Sequence, residues 1–275
     1  MKKSIALVAM SFGVSSIFAQ DLTSKKGEPI LPEAGDYAIS IDATPFFSYA
    51  KSLVGAGINA TTPSWNFYTN NMTIWGKKFK DANTAHRAGI RIGFGSASKE
   101  TLVADVTSTT TPQATVSDVV KTGGTNIGLT VGIEKRRGKT RLQGVYGAEF
   151  GINLSSTNTK NTYGNALTAT NAGSRVATVK SGMGFGLGLR AFVGAEYFMF
   201  PKMSIGGEFG WGIAFMSQAQ GNTTSERFDT SANVNAVVST DVKTGKSSSF
   251  SLDTQGNQTV FGTNPGAALK LTLHF

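Results

Sequence analysis

Apolar residues recur at every second position in seven stretches of this chain. Tyr37, Ile39, Ile41 and Ala43 alternate with Ala38, Ser40 and Asp42; Ala88, Ile90, Ile92 and Phe94 alternate with Arg87, Gly89, Arg91 and Gly93. The pattern repeats with Ile127, Leu129, Val131 and Ile133 against Gly128, Thr130, Gly132 and Glu134, and with Leu142, Tyr146, Phe150 and Ile152 against Arg141, Gln143, Gly147, Glu149 and Gly151. It continues through Phe185, Leu187, Leu189, Val193 and Tyr197, through Met203, Ile205, Phe209, Trp211, Ile213 and Phe215, and through Ala267, Leu269, Leu271, Leu273 and Phe275. Side chains two apart share a face of an extended strand, so each stretch reads as a strand with one apolar face and one small or charged face. Val145 and Phe192 break the pattern by falling on the polar face. An eighth strand covers 71–79 with its facing open: Trp75 and Phe79 suit the apolar face on one choice, Met72 and Ile74 on the other.

The connections sort by length. Lys80 to Ala85, Lys135 to Lys139 and Phe198 to Lys202 are short; Lys51 to Thr69, Ser98 to Gly123, Ser155 to Ser181 and Ser217 to Thr263 are long and rich in Ser, Thr, Asn and Gly. Short and long alternate along the chain. That segregation predicts an all-β fold, an antiparallel eight-stranded transmembrane β-barrel with short periplasmic turns and long extracellular loops. A soluble sandwich has no reason to sort its loops this way. Two loops hold further strand-like pieces: Thr101–Val106 with Ala114–Val120 extends one hairpin above the bilayer, and Val234–Asp241 is placed to pair with Ser247–Leu252. Those pieces leave a ten-strand alternative open.

Closure follows from the solvent. An open sheet edge in hydrocarbon leaves backbone amides unpaired, so the sheet must close on itself. Eight strands leave an interior just wide enough for side chains. The residues expected inside include five acids, Asp42, Glu134, Glu149, Glu196 and Glu208, and five bases, Arg87, Arg91, Arg141, Arg190 and Lys270. Glu134 and Arg141 are expected to meet across a short turn. Buried charges are costly unless paired, which predicts a plug of salt bridges; a narrow selective pore is the competing reading. Inward glycines give arginine side chains room.

Residues 1–19 read as a signal peptide: Lys2 and Lys3 precede an apolar stretch from Ile5 to Phe18, and Ile17-Phe18-Ala19 is an imperfect cleavage site. Residues 20–35 then form an extended periplasmic segment before the barrel of 36–275. Tyr37, Phe79, Tyr197, Phe198, Phe200 and Phe275 gather at the short-turn end, and Phe46, Phe47, Tyr49, Trp211 and Phe215 toward the long-loop end, as two interfacial girdles would. Lys77, Lys78, Lys80, Lys135, Arg136, Arg137, Lys139 and Lys202 also lie at the short-turn end, open to anionic headgroups or to water. With its signal peptide, its entry segment Ser24–Asp36, its turn Asp81–Ile90 and its terminal Leu-Thr-Leu-His-Phe275, the chain resembles small outer-membrane β-barrel proteins of Bacteroidota, with OmpA/OmpX-like architecture and no peptidoglycan-binding domain. The resemblance implies outer-membrane lipid and the barrel assembly machinery as partners. Leu269, Leu271, Leu273 and Phe275 form the terminal strand that resembles an assembly signal.

Composition removes most other chemistry. The 275 residues include 33 glycines and two histidines but no cysteine, which excludes disulfides, thiolate metal sites and a cysteine nucleophile. The formal charge is +9; without Lys2 and Lys3, 24 basic residues face 17 acidic ones. The segment Gly132–Thr140 nearly matches a phosphate-binding loop but has one residue too many between its glycines and no helix after it. His86 and His274 both fall at the periplasmic end, where neither serves as a base for external substrates. No catalytic, metal or cofactor site and no nucleic-acid partner is expected. The expected role is structural and surface-interacting, with an unknown surface ligand; a porin-like diffusion channel for small solutes or ions is the alternative.

Overall fold

The computed structural model describes residues 22–24, 26–43, 73–231, 236–253 and 268–275. The expected signal peptide, Phe46, Phe47, Tyr49, Met72 and the side chain of Asp42 lie outside the described residues.

Eight strands close into a ring: β1 (Tyr37–Asp42), β2 (Ile74–Asp81), β3 (Thr84–Ala104), β4 (Thr115–Arg137), β5 (Leu142–Thr162), β7 (Gly184–Phe200), β8 (Met203–Gln218) and β12 (Ala268–His274). Every neighbouring pair is antiparallel, and β1 closes on β12 with Ala38 opposite His274 and Ser40 opposite Thr272. At that seam Ser40 Oγ and Thr272 Oγ1 share a hydrogen bond of 2.8 Å. The ring holds eight strands, so the ten-strand alternative falls.

The short turns lie at one end of the ring. Arg136 N donates to Asn83 O, Phe198 N to Arg141 O, and His274 N to Lys202 O, which ties the turns to one another and to the chain's last strand. At the other end β3 and β4 run on to pair Ala104 with Thr115, as one expected hairpin does. Asp105 caps it, its carboxylate accepting from Thr107 Oγ1 at 2.7 Å and Thr107 N at 2.8 Å. Those bonds hold the Asp105 carboxyl below its usual range.

The second expected hairpin is corrected. β10 (Ala236–Lys243) pairs with β9 (Asn222–Asp229), and β11 (Ser247–Asp253) pairs with the upper part of β8, Phe250 opposite Phe215. The sequence signal for β9 was absent because Asn-Thr-Thr-Ser-Glu-Arg-Phe-Asp has no apolar face. β6 (Ser174–Lys180) joins the tip of β5 to β9, so a sheet of order β3-β4-β5-β6-β9-β10 stands above the ring.

The barrel is apolar outside and polar inside. Ile39, Ile90, Leu129, Val131, Leu189 and Phe209 are among its exposed side chains, while Arg87, Glu134, Glu149, Arg190 and Glu196 are buried. On β8 the outward row runs from Met203 to Phe215. At about 3.3 Å per residue and a tilt near 40°, such a row stands roughly 30 Å tall, close to the thickness of a bilayer's hydrocarbon core. The architecture is that of a transmembrane β-barrel. Residues before β1 depart from the expected extended form: Ser24 N donates to Glu28 O and Ile30 N to Leu22 O, and Gly27 takes a left-handed turn at φ +81°. The fold-back ends on buried Ile30, an apolar side chain that an extended tail would leave in water.

Candidate functional site: the charged layer inside the barrel

Alternation brings the site together. Inward positions on neighbouring strands place Arg87 opposite Gly132, Gly132 opposite Glu149, Glu149 opposite Arg190, and Arg190 opposite Gly212. Charge and glycine share the row for a steric reason. A Cβ at Gly132 would come within 2.9 Å of Glu149 Cγ, and one at Gly210 within 2.7 Å of Arg190 Cζ. Side chains large enough to cross an eight-stranded barrel need such gaps.

Arg87 is the hub. Its guanidinium lies 2.8 Å from Glu149, 3.1 Å from Glu208 and 3.4 Å from Glu134. Trp75 and Phe192 flank it, with ring centroids 4.7 and 4.3 Å from Cζ. Glu208 also accepts from Arg190 Nη1 and from Lys270 Nζ, each at 2.7 Å. Arg190 reaches Glu149 at 3.3 Å. Toward the short-turn end a second group forms. Lys77 Nζ lies 3.0 Å from Glu134 and 3.4 Å from Glu196, and Arg136 Nη1 lies 3.1 and 3.0 Å from the same two carboxylates. Among the described residues, five cations thus meet four carboxylates in one connected layer from β2 round to β12. The void among Lys77, Glu134, Glu196, Glu208 and Lys270 measures about 20 Å³. That is room for about one water.

Of the ten charged residues expected inside, Arg87, Glu134, Glu149, Arg190, Glu196, Glu208 and Lys270 join this layer. Arg91 is buried two inward positions above Arg87, past Gly89. Arg141 is corrected: it does not meet Glu134, and its Nη1 donates to Met199 O at 3.1 Å at the turn end. Glu134 is already taken by cations from β2, β3 and β4.

Lys77 and Arg136 were expected among the headgroup-facing bases; both are buried inside. Lys77 follows the facing of β2, which the structure resolves by turning Trp75, Lys77 and Phe79 inward and Ile74 outward, and Arg136 stands two residues after Glu134 on the inward face of β4. Phe79 and Phe198 are corrected in the same way. They are interior, not girdle residues, and lie 5.3 and 5.5 Å from the Arg136 guanidinium. Aromatic faces attract a cation desolvated by burial, so large apolar rings belong inside wherever an arginine needs cover. Ala43, expected on the outward face, is buried too.

Ser204, His274 and Glu196 meet at the turn end. His274 Nε2 is 3.1 Å from Ser204 Oγ and 3.3 Å from Glu196 Oε1, and Ser204 Oγ also donates to Glu196. A nucleophile needs the carboxylate on the far ring nitrogen, orienting the imidazole. Here the hydroxyl and the carboxylate share Nε2 and Nδ1 has no partner, with Phe79 and Phe198 centred 5.6 and 5.1 Å from the ring. The trio is a buried brace. Among the described residues no group of His, Asp and Glu could hold a metal ion.

No protein-family model and no curated protein matches this sequence. The solved structures similar across most of the chain include two outer membrane proteins. The outer membrane protein OprG from Pseudomonas aeruginosa shares 8% identity, covering 89% of this chain and 98% of that one with a TM-score of 0.32. A major outer membrane protein from Thermus thermophilus shares 16% identity over 88% of this chain and 100% of that one, with a TM-score of 0.29. Likenesses this distant carry no inference about function.

Proposed function

We propose that this protein is a non-enzymatic integral barrel of the bacterial outer membrane whose lumen is closed by its own charges. It strengthens the envelope and holds the β3-β4-β5-β6-β9-β10 sheet on the cell surface. The observation that carries the reading is the connected layer of ion pairs from Lys77 to Lys270, with room for about one water between them. Breaking such a layer strands buried charges, so it resists opening. The eight-strand ring supports the OmpA/OmpX-type architecture; a Bacteroidota origin rests on the sequence resemblance alone. Export by a signal peptide and recognition of Leu269, Leu271, Leu273 and Phe275 by an assembly machinery belong to the same proposal.

Conductance of the purified protein in a planar bilayer tests the closure. The expected result is no stable single-channel steps; large, stable steps would refute it. A second reading, a narrow path for ions or water, is favoured by the unpaired buried donors Arg87 Nε, Arg136 Nη2 and Arg190 Nε, which could hydrate a file of small solutes. On that reading Glu149→Ala with Arg190→Ala alters conductance already present in the native protein.

Orientation has its own test, made clean by the absence of cysteine. A membrane-impermeant maleimide added to intact cells is expected to label Thr110→Cys in the β3–β4 hairpin and to miss Lys202→Cys in the β7–β8 turn. The reverse pattern would invert the topology.

A further inference from the structure

The outer wall carries a depression on its β1–β4 side. Across β1 to β4 one outward row reads Ile41, Ile74, Ile90, Leu129, and the row beneath it reads Ile39, Gly76, Ala88, Val131. The next row toward the short turns reads Tyr37, Lys78, His86, Ile133. Two small residues side by side therefore leave a groove between Ile39 and Val131, and its volume is about 550 Å³. Lys78 and His86 line its lower rim.

Nothing in the barrel obliges residue 76 to be glycine. Its φ is not left-handed, and a Cβ there would meet only Ala88 O, at 3.9 Å. The inward glycines at 132 and 210 differ, since a Cβ would press on Ala148 O and Glu149 at the first and on the Arg190 guanidinium at the second. The rim also carries cationic side chains. Lys78 Nζ stands 5.3 Å from the Tyr37 ring centroid and makes no ion pair among the described residues, and Lys135 Nζ one row lower donates to Thr84 Oγ1 at 3.0 Å. Two acids at this end, Asp36 and Asp81, accept backbone hydrogen bonds from Glu33 N and Asn83 N.

We propose that this groove is a fixed seat for one anionic phospholipid of the periplasm-facing leaflet. One acyl chain lies across Gly76 and Ala88 between Ile39 and Val131, and the phosphate accepts hydrogen bonds from Lys78 Nζ and from the His86 imidazole. The apolar floor meets the chain and the cationic rim meets the headgroup at the depth where a barrel wall passes from hydrocarbon to interface. The proposal rests on the membrane orientation given above, which the cysteine labelling checks separately.

The full chain, purified in detergent and delipidated, is titrated with phosphatidylglycerol or with phosphatidylcholine, and native mass spectrometry counts the lipids retained. The expected result is one phosphatidylglycerol held in preference to phosphatidylcholine. Gly76→Leu fills the groove and is expected to abolish that adduct, while heat-dependent gel mobility reports that the barrel is intact. Lys78→Gln keeps the groove and loses the charge; it is expected to weaken phosphatidylglycerol by about fivefold and to leave phosphatidylcholine unchanged. Equal retention of the two lipids by the native protein overturns the proposal. So does a folded Gly76→Leu variant that keeps the adduct, or a Lys78→Gln variant that binds like the native chain. If labelling shows the short turns outside the cell, the membrane orientation fails first; if it does not, these results judge the lipid seat alone.

Discussion

The lower barrel and the sheet that stands above it are continuous strands of the same chain, yet they obey different rules. On β3 the outward residues Ala88, Ile90, Ile92 and Phe94 give way to Ser96, Ser98 and Glu100 within the same strand. Below that transition the inside holds Arg87 and Arg91; above it, most residues of either face are exposed. Hydrogen-bond register runs unbroken from Thr84–Lys135 to Ala104–Thr115. The backbone is indifferent to the change, so what differs is the solvent on the outer face. Lipid forces polar groups inward and makes each of them find a partner. Water on both sides removes that pressure, and ion pairs become sparse and weak.

Four substitutions test this contrast, beginning with the largest effect. Arg87→Met removes the hub and takes one cation from each of the buried carboxylates Glu134, Glu149 and Glu208; a loss of about 3–5 kcal/mol is expected from breaking buried ion pairs on one side. Urea unfolding in lipid vesicles measures it, and a change under about 1 kcal/mol would mean that the layer is not held by these pairs. Leu129→Arg places a charge within the apolar outer band and is expected to cost about 2–4 kcal/mol in the same assay. Leu102→Arg is the matched control on the protruding part of β3, where the side chain is 66% exposed. There the expected cost is within about 0.5 kcal/mol, as for an ordinary surface change. If Leu102→Arg and Leu129→Arg cost the same, the division between lipid-bathed wall and water-bathed sheet is wrong. A small effect confined to the upper sheet is expected at Arg175, which bridges β6 to Glu226 of β9 at 3.3 Å and stacks 4.6 Å from the Tyr163 ring centroid. Arg175→Ala should lower the protease resistance of the β6–β9–β10 sheet slightly, by less than about 1 kcal/mol, and leave barrel unfolding unchanged.

The same contrast explains which parts of the fold were legible. Seven of the eight ring strands announced themselves through residues such as Leu129, Leu189 and Leu273, because lipid on one side enforces a period of two. The strands above the ring were harder. β9 has no apolar face, and β10 was expected to pair with Ser247–Leu252 but pairs with β9, since Val237 and Val238 face no hydrocarbon that would fix their register. Within the site, seven of the ten expected charges meet in one layer. Lys77 and Arg136 were missed as its members, although each strand held a signal: Lys77 shares a face of β2 with Trp75 and Phe79, whose facing was undecided, and Arg136 stands two residues after Glu134 on β4. Aromatic rings at a strand end suit a lipid interface and a buried guanidinium equally well, and one strand alone does not decide between them.

Alternation and loop length, both readable along the chain, determined the sheet, its closure and the sign of each face, because one side chain in two must meet a solvent that tolerates no unpaired polar group. Which carboxylate meets which cation was left to the closed ring. Glu208 touches Arg87 across the lumen only because β1 seals to β12 and brings β8 round to face β3. That distance is a property of barrel curvature and stagger, and no spacing along the sequence encodes it.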